Sequence, residues 1–164
     1  MRISQRPPAR GVYILPNLFT TASLLTGFLS MIFAMSSQYE HAAVAILCSA
    51  LMDGLDGKVA RLTRSSSKFG IEYDSLADVV AFGVAPGILL WSWQLWNFDR
   101  LGIAVAFLNV ACVALRLARF NVAVPGTSSK RFFIGLPSPA GGCTLATFAL
   151  FAPLLPQAVQ AARV

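Results

Sequence analysis

The stretch that decides the fold reads Asp53-Gly54-Leu55-Asp56-Gly57-Lys58-Val59-Ala60-Arg61, followed after a short polar segment by Gly70-Ile71-Glu72-Tyr73-Asp74-Ser75-Leu76-Ala77-Asp78. The chain has seven acidic residues, and five of them fall between Asp53 and Asp78. On either side the sequence is apolar, in runs of membrane-spanning length. Carboxylates at membrane depth are costly, and those that are kept face a bundle interior or a watery cavity, where they bind ions or move protons. The window therefore sets two expectations at once: helices that cross a bilayer, and a site built between them.

Composition agrees. Of 164 residues, 56% are hydrophobic and only 12% charged, with a mean hydropathy of +0.66, whereas soluble domains carry about 25% charged residues. The length leaves room for roughly five helices of about 20 residues each. The expected fold is an all-α integral membrane protein, a multi-pass helical bundle of about five spans forming one domain over residues 1–164. The spans are expected at about Ile14–Met35, His41–Leu62, Ile71–Trp96, Leu101–Phe120 and Ile134–Leu155. Residues 1–11 form a basic arm, with no cleavable signal because the first apolar run is already of spanning length. Thr63 to Lys68 is a polar hinge, Asp99-Arg100 a tight turn, and Asn121 to Phe133 a loop. Gly83-Val84-Ala85-Pro86-Gly87 gives the third span a small-x-x-x-small face and a proline kink. Trp91, Trp93 and Trp96 form an interfacial belt at its far end.

A net charge of +6 would suggest nucleic acid in a soluble chain, but in a membrane chain it describes a cytoplasmic rim that attracts anionic lipid heads. No nucleic-acid partner is expected. If the spans alternate, Arg2, Arg6, Arg10, Arg61, Arg64, Lys68, Arg116, Arg119, Lys130 and Arg131 share one side, and only Arg100 and Arg163 lie opposite. The basic side is the cytoplasm, which puts the N-terminus and the aspartate window on the cytoplasmic side of the cell membrane. Cys48, Cys112 and Cys143 lie in apolar runs without paired spacing and read as reduced packing residues. His41, the lone histidine, reads as a solvated loop residue.

Asp53 and Asp56 are three apart on a helix and share a face, which Gly57 and Ala60 extend as an open trough. Asp74 and Asp78, four apart on the next helix, share a face too. Bringing these faces together makes a four-carboxylate cluster that cannot stay fully ionised unaided. One or two divalent cations would solve this, and hard oxygen ligands suit Mg²⁺, Mn²⁺ or Ca²⁺ rather than zinc. Such an ion beside an open trough is the apparatus of phosphoryl chemistry. Arg61, on the same helix, is placed to grip a phosphate bidentately. The competing readings are a structural carboxylate cluster, an assembly protein, and a divalent-cation transporter. A transporter predicts internal inverted repeats and carboxylates at mid-membrane, and the sequence has neither. A structural role gives no reason for Gly57, Ala60 and Arg61 at their spacing.

The pattern Asp-x-x-Asp-Gly-x-x-Ala-Arg-x8-Gly-x3-Asp-x3-Asp resembles the signature of the CDP-alcohol phosphatidyltransferases. Asp53, Asp56, Gly57, Ala60, Arg61, Gly70, Asp74 and Asp78 match all eight fixed positions over 26 residues. The resemblance implies transfer of a phosphatidyl group from a CDP-linked lipid to an alcohol, with release of CMP. It implies Asp53, Asp56, Asp74 and Asp78 as ligands of a divalent metal, Mg²⁺ or Mn²⁺ with Ca²⁺ possible. It implies Gly57, Ala60, Arg61 and Gly70 around the nucleotide and diphosphate, and Asp78 as the general base for the attacking hydroxyl.

Two outer stretches resemble the phosphatidylserine synthase branch of that family: Leu15-Pro16-Asn17-Leu18-Phe19-Thr20 with Gly27-Phe28, and Arg119-Phe120-Asn121 with Phe133-Ile134-Gly135-Leu136-Pro137-Ser138-Pro139-Ala140. They imply CDP-diacylglycerol and L-serine as substrates, with inositol phosphate or glycerol 3-phosphate as alternative acceptors. Arg116, Arg119, Lys130 and Arg131 offer cations for an acceptor or lipid phosphate, or anchor lipid heads. Asn17 and Thr20 line the site from the first helix, or only join helix to helix. Relatives in the family form homodimers in the membrane and have six spans. Five are expected here, which marks the chain as truncated or as lacking a sixth helix.

Overall fold

The computed structural model describes residues 14–63, 68–122 and 136–152. These form five helical rods and no strand among the described residues. The rods are α1 (Ile14–Met35), α2 (Tyr39–Thr63), a compound rod, α5 (Asp99–Val122) and α6 (Ser138–Phe151). The compound rod joins α3 (Lys68–Asp78), a π turn (Val79–Val84) and α4 (Ala85–Trp93). The all-α membrane fold expected from the sequence is observed. In lipid every backbone polar group must bond within its own segment, and helices do so.

Three rods are long and apolar enough to cross a membrane: Asn17–Met35, Phe69–Trp93 and Leu95–Asn121. The site's own carboxylates and basic residues make α2 too polar to stand with them, although its 25 residues give ample length. The 14 residues of α6 extend about 21 Å, and the rest of the fifth expected span lies outside the described residues. The turn expected at Asp99-Arg100 comes earlier, as a 3-10 turn over Leu95–Phe98, and Asp99 opens α5 at φ 45°. His41 is exposed, as expected, but sits in the first turns of α2 with its ring 5.8 Å from Phe33. The three cysteines are free, but Cys48 and Cys112 face outward instead of packing.

The core is unlike that of a soluble domain. Ala34, Ala42, Ala43, Ala81, Ala85, Ala146 and Ala149 surround Ile46, Phe82 and Leu89, while Leu25, Phe28, Ile103 and Phe107 point outward. Small residues let helices approach where lipid offers no hydrophobic drive to associate. The compound rod is central, touching all four other rods. A Cβ on Gly27 of α1 would stand 2.9 Å from Ala81 Cα, and one on Gly142 of α6 would stand 3.0 Å from Phe82 Cβ. The expected Gly83/Gly87 face meets α5: Gly83 lies against Val113 and Val110, and Gly87 against the Ala106 carbonyl.

Pro86 is accommodated by the widened turn before it. A proline ring clashes with the carbonyl four residues back and brings no N–H. Here the Ala85 N–H bonds the Val80 carbonyl, five residues back, across the π turn.

Candidate active site

One end of the bundle collects polar groups from every rod: the start of α1, the last third of α2, α3, the end of α5 and the first residue of α6. The four-residue spacing of Asp74 and Asp78 puts both on one side of α3, toward Asp53 of α2. One carboxylate oxygen from each of Asp53, Asp74 and Asp78 lies within 4.8 Å of the other two. The Asp53 and Asp78 carboxyls are within hydrogen-bonding reach of each other. Asp78 is 9% exposed and Asp56 only 6%.

The expected cluster of four resolves into a triad with Asp56 at its edge. Three residues on from Asp53, α2 has turned Asp56 toward α1, where it accepts a hydrogen bond from the buried Thr20 hydroxyl. It stays within electrostatic range of both Asp53 and Asp74. Thr20 thus reaches the site from the first helix, while Asn17 sits one turn nearer the α1 start, half-buried, its carbonyl accepting from Thr21.

Neighbouring bonds hold α3 on two sides. The Tyr73 hydroxyl meets Thr21 Oγ1 of α1 at 3.0 Å, and the Tyr73 ring stacks on Phe69 at 5.9 Å. On the other side Asn121 of α5 donates to Ser75 Oγ at 3.1 Å and to Glu72 Oε2 at 3.3 Å. Arg116 of α5 lies within electrostatic range of Asp78 and donates from Nη1 to Ser138 Oγ at 2.6 Å. Arg119 is exposed one turn further on. Gly57 and Gly70 are half-buried on α2 and α3. Ala60 and Arg61 continue α2, but their side chains, like the whole of Lys130 and Arg131, lie outside the described residues.

Tyr73, Asn121 and Ser138 belong to this end of the bundle and were not picked out from the sequence as site residues. Asn121 and Ser138 did stand inside the two quoted outer stretches, which was their available signal. Nothing local marks Tyr73.

The residues fit a hard cation. Calcium and magnesium bind oxygens at about 2.0–2.6 Å, so two ligands of one ion lie at most about 5 Å apart. The triad satisfies this with oxygen donors alone, and it includes no sulfur or imidazole.

The family model described as CDP-alcohol phosphatidyltransferase matches residues 13–164. The chain belongs to the CDP-alcohol phosphatidyltransferase family. Among curated members, a CDP-diacylglycerol–serine O-phosphatidyltransferase of Helicobacter pylori (strain J99) is 50% identical over 133 residues, covering 81% of this chain and 56% of its own length. A protein of the same name from Mycobacterium leprae is 40% identical over 150 residues, covering 87% of this chain and 50% of its own. An archaetidylserine synthase of Methanothermobacter thermautotrophicus is 39% identical, covering 83% and 58%. The chain thus spans about half the length of these relatives.

Proposed function

We propose that this chain is a single phosphatidyltransferase domain that moves the phosphatidyl group of CDP-diacylglycerol to the hydroxyl of L-serine, giving phosphatidylserine and CMP. The carboxylate triad of Asp53, Asp74 and Asp78, set within the eight-position family signature, carries the reading. The names of the similar proteins support serine as acceptor.

Asp53, Asp74 and Asp78, with Asp56 beside them, would hold a divalent cation, Mg²⁺ or Mn²⁺. When bound, it offsets charge on the diphosphate and polarises the phosphorus under attack. The glycine and alanine positions, Gly57, Ala60 and Gly70, leave room for the nucleotide, and Arg61 pairs with a diphosphate oxygen. Thr20 steadies Asp56. Serine Oγ forms a bond to the lipid-bearing phosphorus, the bond to the CMP oxygen breaks, and the serine hydroxyl proton passes to the Asp78 carboxylate. Arg116, beside Asp78, pairs with the serine carboxylate, orienting the hydroxyl toward the triad. Arg119, Lys130 and Arg131 attract anionic headgroups at the rim. The lipid enters sideways from the cytoplasmic leaflet, and two copies pair in the membrane as a homodimer.

The test is CMP release from CDP-diacylglycerol by the protein in lipid nanodiscs, with serine, inositol phosphate or glycerol 3-phosphate. Release with serine alone, lost in EDTA and restored by Mg²⁺ or Mn²⁺, is the expected result. Release with another acceptor overturns the serine assignment, and no release with any of them overturns the transferase assignment.

A further inference from the structure

Asn109 has no place in the chemistry above. It lies midway along α5, in the most apolar of the spans (mean hydropathy 2.1), where a polar side chain is kept for a bond across helices. Its Nδ2 donates to the Gly83 carbonyl at 2.8 Å, in the last residues of the π turn that begins immediately after Asp78.

The π turn sets the phase of the compound rod. Beyond it, α4 is fixed on α5 by Gly87, where any Cβ would stand 3.1 Å from the Ala106 carbonyl. Before it, α3 must present Asp74 and Asp78 to Asp53. Each α-helical residue turns the chain by about 100°. If the π turn tightened to α geometry while α4 stayed on α5, α3 would rotate and its two carboxylates would swing away from Asp53. Single π turns are frequent at functional sites.

We infer that Asn109 is a positioning residue: its bond to the Gly83 carbonyl holds the π turn in the register that brings Asp74 and Asp78 onto Asp53. The inference rests on the metal-site reading given above.

The experiment measures Mn²⁺ binding by electron paramagnetic resonance, in nanodiscs without substrate, for the wild type, Asn109→Leu, Asn109→Gln and Ser30→Ala. The last removes another buried interhelical bond, from Ser30 Oγ to the Ala42 carbonyl at 2.8 Å, away from the triad. Asn109→Leu is expected to weaken Mn²⁺ binding about tenfold, near the low end for residues that orient metal ligands. Asn109→Gln, which keeps the donor, should recover most of it, and Ser30→Ala should leave it unchanged. In turnover the Leu variant needs more metal at half-maximal rate, while KM for CDP-diacylglycerol holds within about twofold. Unchanged Mn²⁺ binding in the Leu variant overturns the inference, as does an equal loss in Ser30→Ala. Asn109→Ala repeats the measurement if Leu does not fold. Failure of both to fold beside a folded Ser30→Ala also overturns it, since the bond is then a folding requirement. A wild type that binds no Mn²⁺ fails at the earlier step and removes the metal-site reading itself.

Discussion

Asp78 and Asp56 are both buried aspartates of one site, yet their surroundings differ. Asp78 faces another carboxyl, Asp53, with the Arg116 guanidinium nearby, whereas Asp56 is held by the Thr20 hydroxyl. If Asp78 takes the serine proton, Asp78→Asn keeps the shape and loses the acceptor. General-base catalysis contributes about 10²- to 10⁴-fold. CMP release should fall at least about 100-fold even at saturating metal and CDP-diacylglycerol, and near-normal turnover would remove the base assignment. Thr20→Val keeps the volume and deletes the donor. Leaving a buried acceptor short of its partner costs about 1–3 kcal/mol, so substrate or metal binding should weaken by about tenfold with kcat little altered. Thr20→Ser should restore it, and identical kinetics in all three proteins would show that the bond only joins helices. The Asp74–Asp78 pair was legible in the sequence because four-residue spacing fixes a helical face; the three-residue spacing of Asp53 and Asp56 led to a cluster of four, whereas α2 turns Asp56 toward Thr20. The Thr20–Asp56 bond was only half legible. It joins residues 36 apart and depends on how α1 and α2 are rotated, which the spacing within either helix does not set.

Helices in this bundle meet where side chains are missing, so substitutions at crossings are expected to act on stability rather than chemistry. A Cβ at Gly142 would lie 3.0 Å from Phe82 Cβ and 3.1 Å from its Cα. The nearest atoms therefore belong to the fixed part of a fully buried residue. Overpacking of this kind typically costs about 1–3 kcal/mol. Gly142→Val should lower the unfolding temperature in detergent by several degrees. Gly54→Ala is the control: nothing lies within 4 Å of a Cβ built there, and inside a helix the change should be neutral to stabilising, by up to about 1 kcal/mol. Equal shifts in the two variants would mean that the α6 crossing is not tight. The element boundaries of α1 and α2 were readable from apolar runs and flanking polar residues. The π turn was not. Pro86 announces a disturbed helix, but a kink, a bulge and a widened turn all answer the same missing N–H. Which one forms depends on the α1, α5 and α6 neighbours that grip Ala81, Phe82 and Gly83.

At the scale of the molecule, apolarity and catalysis compete for the same helices. The carboxylates and basic residues that build the site are what make α2 too polar to be recognised as a span by hydropathy, so counting apolar stretches and finding the site are not independent tasks. The direction of each rod settles more. Thr20 lies near the start of α1, Asp53 late in α2, Asp74 early in the compound rod, Arg116 late in α5 and Ser138 at the start of α6. This is the order that alternating spans produce if every polar contribution belongs to one membrane face. The basic positions Arg61, Lys68, Arg116 and Arg119 fall on the helix segments at that same end, and Arg100 stands at the other. Basic loops stay in the cytoplasm, so the site should open there, where the proposed acceptor, serine, is dissolved. Single cysteines test this in a background with Cys48, Cys112 and Cys143 replaced. Asn97→Cys, in the 3-10 turn, should react with a membrane-impermeant maleimide on intact spheroplasts. Ser66→Cys, in the α2–α3 connection, should react only after permeabilisation. One crossing, the compound rod, separates the two positions. The reverse pattern would put the carboxylates on the outer face, away from cytoplasmic serine, and equal labelling of both would mean that the rod does not cross at all.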